Sequence, residues 1–143
     1  MSDPYNLHRF IDAQEDTFDL ALAELTAGSK RSHWMWFIFP QLAGLGRSST
    51  AQYYGIASID EARGYLADAT LGPRIRQCVA AILPWAGRRN AEDIFGPVDA
   101  LKLRSSLTLF DRVDPAGPFR AALDAFYGGD PDERTLALLN AQA

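Results

Sequence analysis

The stretch Ser32-His33-Trp34-Met35-Trp36-Phe37-Ile38-Phe39-Pro40-Gln41 does most to narrow what this chain can fold into. Its apolar residues follow neither a helical nor an alternating period, so no side of it can be left to water. An apolar run closed by Pro reads as a buried extended segment, because the residue before Pro is pushed out of the helical region. Something must enclose it, and 143 residues supply one domain of material. Apolar residues at 48% and charged residues at 22% are ordinary for such a domain. The aromatic share of 11% is the departure, and Trp34, Trp36, Phe37 and Phe39 all fall in this one segment.

The rest of the chain is helical in pattern. Leu7, Phe10, Ile11, Gln14, Phe18, Leu22 and Leu25 recur at spacings of three and four, which predicts one long amphipathic helix over 7–27, stopped by Gly28. Its other face carries His8, Asp12, Glu15, Asp16 and Asp19. That face is read as solvated, since His8 and Asp12 have no second His at ligand spacing. Gly44-Leu45-Gly46-Arg47-Ser48-Ser49-Thr50 is a small-residue loop. Ser58 and Glu61 fit a capping box that opens a helix through Tyr65 and Leu66. Further helices are predicted over 71–83, with Pro73 in the first turn, and over 91–95, capped by Asn90 and stopped by Gly96. Another runs from Pro97 or Val98 to about Leu103, and one spans 118–127. The last starts at Asp130-Pro131-Asp132-Glu133, with Asp130 as cap and Pro131 at the first helical position. With no repeat, linker or break in composition, residues 1–143 form a single domain. The expected architecture is predominantly α, a compact single-domain bundle of about six to eight helices. A minimal strand pair, 36–39 with 107–110, is the α+β alternative.

Charge and cysteine usage bound the partners. Fourteen Lys and Arg against eighteen Asp and Glu leave a net charge of −4, so non-specific nucleic-acid binding is not expected. The single cysteine, Cys78, lies in the apolar pattern of a helix and is read as a core residue rather than a nucleophile. The apolar run 34–39 is far short of the ~18–20 residues a membrane span needs. The first residues lack the basic start and apolar core of a signal peptide. A soluble, cytoplasmic protein is expected, either monomer or homodimer.

The familiar motifs fail on inspection. Gln41 to Ser48 resembles a phosphate loop, but Gln41 stands where that loop needs Gly and Arg47 where it needs Lys. The dinucleotide fingerprint breaks at Ser49, and neither the G-x-S-x-G elbow nor the H-E-x-x-H zinc motif is present. No cofactor and no metal site is singled out. What survives is a constellation. His33, Trp34, Trp36 and Gln41 adjoin Gly44 and Gly46, where glycine lets the backbone approach a neighbour closely. Ser48 and Tyr54 follow. Lys102, Arg104, Ser105, Ser106 and Thr108 then place two cations and three hydroxyls within seven residues. Together these suit an aromatic-walled pocket for a nucleotide-like or ADP-ribose-like small molecule. Trp34 and Trp36 would form its walls, and Arg74 and Lys102 would hold phosphate. Gly46, Ser105 and Ser106 would donate hydrogen bonds. Asp99 or Asp111 would stabilise an oxocarbenium-like centre or activate water for N-glycosidic cleavage. The competing reading is a non-enzymatic interaction module: the aromatics are core, the serines cap or end a helix, and function lies on the acidic face of the first helix.

The same segments carry a family resemblance over nearly the whole chain. They are Phe10-x-x-Ala13-Gln14, His33-Trp34-Met35-Trp36-Phe37-Ile38-Phe39-Pro40-Gln41-Leu42-x-Gly44-Leu45-Gly46-x-Ser48, Tyr54-Gly55-Ile56, Leu71-Gly72-x-Arg74, Ile94-Phe95-Gly96, Asp99-x-x-Lys102-Leu103-x-Ser105-Ser106-x-Thr108-Leu109-Phe110 and Asp132-x-x-Thr135-Leu136-x-Leu138-Leu139. The pattern resembles the DUF1810 proteins, some of which carry a calpastatin-like label. That label does not fit a chain without Pro/Ser/Lys-rich repeats. The resemblance implies a compact, mainly helical domain and brings no established activity with it. A looser similarity in outline is to the YbiA-like (NADAR) group, linked to N-glycosidic cleavage of riboside and ADP-ribose derivatives. Its implication for this chain is analogy alone.

Overall fold

The computed structural model describes residues 3–142. Ten α-helices follow one another: α1 (His8–Gln14), α2 (Phe18–Thr26), α3 (Met35–Ile38), α4 (Ser49–Tyr54), α5 (Ile59–Ala67), α6 (Leu71–Ile82), α7 (Ala91–Phe95), α8 (Pro97–Val113), α9 (Pro118–Tyr127) and α10 (Glu133–Gln142), with a 3-10 turn at Leu83–Trp85. The helical reading therefore holds, with more helices than the six to eight expected. Among the described residues the β structure amounts to one parallel bridge, Leu42 to Ile56, rather than the strand pair kept as an alternative.

α8 is the axis of the fold. Pro97 at its first position suits the helix start, because the missing N–H would have no helical partner there. Every residue from Ser105 to Asp111 is buried, and α5, α7, α9 and α10 pack around the helix. The predicted stop near Leu103 is overturned, and residues 107–110 are helical. The hydroxyls that suggested an end are absorbed inside. Thr108 Oγ1 donates to the Arg104 carbonyl at 2.8 Å, and Ser105 Oγ lies 3.2 Å from the Leu101 carbonyl. Such back-bonding satisfies a buried hydroxyl without leaving the helix. α6 forms the second layer, against α2, α5 and α9.

The predicted long first helix is two. A turn at Glu15-Asp16-Thr17 separates α1 from α2, where Thr17 N donates to the Gln14 carbonyl at 3.1 Å. Asp and Thr are weak helix formers, and Gln14 is occupied inward. Its Nε2 donates to the Phe37 carbonyl at 2.7 Å and to Tyr65 Oη at 3.1 Å.

The aromatic segment is not extended. Ile38 N donates to the Trp34 carbonyl and Phe39 N to the Met35 carbonyl, each at 3.1 Å, closing the single turn of α3. Pro40 then ends it. Trp34, Met35, Ile38 and Phe39 are all buried, and a four-residue turn made only of apolar residues is too short to show a period. Burying each large side chain contributes about 1.5–3 kcal/mol. After Pro40 the chain makes the Leu42–Ile56 bridge, with Ile56 N donating to the Gln41 carbonyl and Ala43 N to that of Ile56. The loop between them holds α4, whose N-cap Ser48 accepts from Ala51 N; this helix has no counterpart in the sequence pattern.

Arg9 pins that loop down. Its buried guanidinium donates to the carbonyls of Tyr53, Tyr5, Asn6 and Gly55 and pairs with Glu61 at 2.8 Å. Glu61 is thereby drawn away from the full capping box. Ser58 Oγ accepts from Glu61 N, but the Glu61 carboxylate takes Ala57 N instead of reaching back to Ser58. The box appears complete at Asn90 and Asp93, which opens α7. At α10 the cap is Asp132 rather than Asp130, since Asp132 Oδ2 accepts from Thr135 N at 3.0 Å. Among the described residues no helix is long and apolar enough to cross a membrane.

Candidate functional site

A cavity of about 540 Å³ opens between the loop after α3, the start of α4, one face of α8 and the start of α10. Trp36, Gln41, Gly46, Ser48, Lys102 and Ser105 line it, so six of the residues chosen from sequence meet at one place. Leu45, Arg47, Ala51, Val98, Leu101, Asp132 and Arg134 complete the lining. On α8 the spacing explains the face: Val98, Leu101, Lys102 and Ser105 stand at i, i+3, i+4 and i+7. Val98 and Leu101 are exposed, at 65% and 64%, and form an apolar lip at the mouth.

Trp36 and Lys102 make the centre of this wall. The Lys102 ammonium lies 3.3 Å from the centroid of the Trp36 ring. It also lies 3.5 Å from Asp99 Oδ1, while Asp99 Oδ2 holds Lys30 at 2.8 Å. Lys30 in turn sits over Trp34, 4.8 Å from its ring, and donates to the Ser32 carbonyl. Asp99 is thus the anion shared by two lysines, each seated on a tryptophan.

Trp34 does not reach the cavity. It is wholly buried against Phe39 and Phe95, and its Nε1 donates to Glu24 Oε1 at 3.0 Å. Burial alone would push the Glu24 carboxyl up, but hydrogen bonds from Ser32 Oγ, Arg31 N, Trp34 Nε1 and Ser32 N outweigh it and hold the carboxyl down to about 2. The wall role expected of two tryptophans therefore falls to Trp36.

Seven other candidates lie elsewhere. His33 is exposed outside the cavity, and Gly44 is exposed beside Leu138. Tyr54 packs between Phe10 and Phe37. Arg74 lies over Phe18, 3.4 Å from Gln14 Oε1, and is not part of the cavity lining. Asp99 acts behind the wall through Lys102. Ser106 is in the interior with its Oγ unpartnered. Asp111 accepts from Arg120 at 2.7 Å on the other side of α8's axis, and burial pushes its carboxyl up against that pairing. Gly46 has a structural reason as well: a Cβ there would stand 2.7 Å from that of Ala51, so glycine lets the loop lie flat on α4.

Arg47, Asp132 and Arg134 are the charged lining residues sequence reasoning missed as site members. Asp132 Oδ2 lies 3.1 Å from Ser105 Oγ and accepts from Thr135 N and Oγ1, while Asp132 N donates to Thr108 Oγ1 at 2.9 Å. This docks α10 onto α8 and places a carboxylate in the lining. Among the described residues no group of three or more His, Cys, Asp and Glu could hold a metal ion.

The family model described as DUF1810, protein of unknown function, matches residues 4–139. The chain belongs to the DUF1810 family. This DUF1810 domain is 50% identical to the conserved hypothetical protein Rv1873 from Mycobacterium tuberculosis, and the crystal structure of that protein matches it with a TM-score of 0.93. The match covers 96% of this chain and 99% of that one. No curated protein matches the chain. The DUF1810 motifs quoted from the sequence thus divide by location: Gln41, Gly46, Ser48, Lys102 and Ser105 face the cavity, while Trp34, Gly72 and Phe110 serve the interior.

Proposed function

We propose that this protein binds a nucleotide-like or ADP-ribose-like small molecule in the cavity between α4, α8 and α10. The observation that carries the reading is the convergence there of Trp36, Gln41, Ser48, Lys102 and Ser105, drawn from two stretches of chain more than fifty residues apart. The lining joins an indole and the side chains of Leu45, Ala51, Val98 and Leu101 to cations, hydroxyls and an amide. Small-molecule sites have this composition, with apolar walls and a few polar groups that fix orientation. Lys102 covers one face of Trp36, so a ligand ring meets the edge or the opposite face of the indole. For N-glycosidic processing, the carboxylate in reach is Asp132, because Asp99 is held by two lysines and Asp111 by Arg120.

Isothermal titration with AMP, ADP, ADP-ribose and NAD tests binding. At least one should bind saturably and lose most of its affinity in Trp36→Leu, with the far-ultraviolet circular dichroism unchanged. No saturable binding by any of them sinks the reading. Chromatography of the ligand after incubation with the protein tests the cleavage half: appearance of free base or nicotinamide supports it, and an intact ligand leaves a binding protein.

The acidic surface supports the second reading, an interaction module. Asp12, Glu15, Asp16 and Asp19 are all exposed on α1, the turn and α2, and Leu20 beside them is 49% exposed. Reversing these charges should abolish a pull-down partner if that face carries the function.

A further inference from the structure

We infer that the cavity recognises its ligand by a dianionic phosphoryl group, a phosphomonoester or a pyrophosphate, held by Arg47 and Arg134. This rests on the cavity being the ligand site, and it specifies the chemistry that site selects. The chain as a whole carries a net charge of −4, yet three cations, Arg47, Lys102 and Arg134, face the cavity against one carboxylate, Asp132. The local surplus is two positive charges.

The two arginines differ from the lysine. Lys102 is already engaged by Trp36 and Asp99. No ion pair among the described residues reaches either Arg47 or Arg134, and both are exposed. Arg134 is also placed against local preference. It is the second residue of α10, where the helix dipole favours an anion and disfavours a cation. A residue that breaks a local rule without a partner to compensate marks a functional demand. A dianion bound there would give Arg134 and Arg47 the partner both lack. Of the one carboxylate on this wall, Asp132, the Oδ2 oxygen is already occupied by Ser105 and Thr135. Guanidinium offers phosphate oxygens two parallel donors, which an ammonium does not. The apolar lip of Val98 and Leu101 lies on the same cavity and leaves the rest of the ligand an apolar seat.

Titration calorimetry with ADP, adenosine and inorganic pyrophosphate, on the wild type and on Arg47→Gln/Arg134→Gln, tests this. ADP should bind at least about tenfold more tightly than adenosine, and the double variant should lose about 100-fold in ADP affinity. Inorganic pyrophosphate alone should bind the wild type and not the double variant. Both sites are exposed, so the variant should keep the wild-type melting temperature. If adenosine matches ADP, or the double variant keeps ADP affinity within twofold, the phosphoryl site is wrong while the ligand cavity stands. If pyrophosphate binds and is lost in the variant but nucleotides add nothing, the phosphoryl site stands and the nucleotide reading falls. If none of the three binds, both fall.

Discussion

Lys102 Nζ sits 3.3 Å from the centroid of the Trp36 indole, and Asp99 anchors the same ammonium at 3.5 Å. The lysine is therefore a fixed part of the cavity wall. Half-desolvated cation–π contacts of this kind are worth about 1–2 kcal/mol. Lys102→Met keeps the stem against the ring and removes the charge. It should blue-shift the Trp36 contribution to fluorescence, cost about 1–2 kcal/mol in urea denaturation, and weaken ADP binding. A variant with wild-type emission and stability would show that the contact contributes nothing.

How much of this was legible depends on whether the deciding interaction is local. α6, α7 and α9 could be read because caps, Pro and apolar spacing lie within each segment. α3 could not, since a single four-residue turn whose every residue is apolar is too short to show a period. Trp34 and Trp36 are indistinguishable as residue types two positions apart. Glu24, ten residues before Trp34, decides which one goes inside by accepting its Nε1–H. In the cavity, Lys102 and Ser105 were visible as polar groups close in sequence. Val98, Leu101 and Lys102 fall within the helix predicted to about Leu103, and Ser105 joins their face only because α8 runs on to Val113. Arg134 and Asp132 arrive by docking of α10 onto α8 through Ser105 and Thr108, which no local pattern encodes.

Glu24 should make the fold acid-sensitive. Its carboxyl is held down from 4.5 to about 2 by hydrogen bonds that outweigh its burial. A lowered native value means the stabilisation is present above the ordinary carboxylate range and is lost as pH falls through it. The contribution amounts to about 3 kcal/mol at neutral pH, lost mainly between about pH 5 and 2. Glu24→Gln should be less stable than wild type by about 2–3 kcal/mol at pH 7, and the gap should narrow on acidification. Parallel stability curves for the two proteins would remove Glu24 from this role.

Gly72 is set by a close approach. A Cβ there would stand 2.1 Å from the Leu66 carbonyl oxygen, so the first turn of α6 rests directly on the end of α5. Backbone cannot swing aside as a side chain can, and Gly72→Ala should cost about 3 kcal/mol or more. Gly64, inside α5, is the control. Its added Cβ would stand 3.2 Å from the ring of exposed Tyr5, which is free to shift, and in ordinary contact with Leu7. Gly64→Ala should be neutral or raise stability by up to ~1 kcal/mol through helix propensity. Chemical denaturation of the two variants separates these cases, and a tolerated Gly72→Ala would contradict the packing of α5 on α6.

Asp111 is an ion pair whose charge works against the fold. Its Oδ2 takes Arg120 Nη2 at 2.7 Å, yet Oδ1 is buried without a partner. Burial pushes the carboxyl up, Arg120 opposes it, and Asp124 and Asp114 add to the rise. Because the native value is raised, ionisation above the ordinary range costs stability, and the cost is relieved as pH falls. Arg120 is half exposed and remains solvated when unpaired. Asp111→Asn should therefore match or exceed wild type by about 1 kcal/mol at pH 7, an advantage that fades on acidification. Arg120→Ala should do the opposite and cost about 2–3 kcal/mol, because it leaves the buried carboxylate uncompensated. Thermal melts of the pair at pH 7 decide the matter: if Asp111→Asn is the more damaging change, the carboxylate stabilises the fold after all.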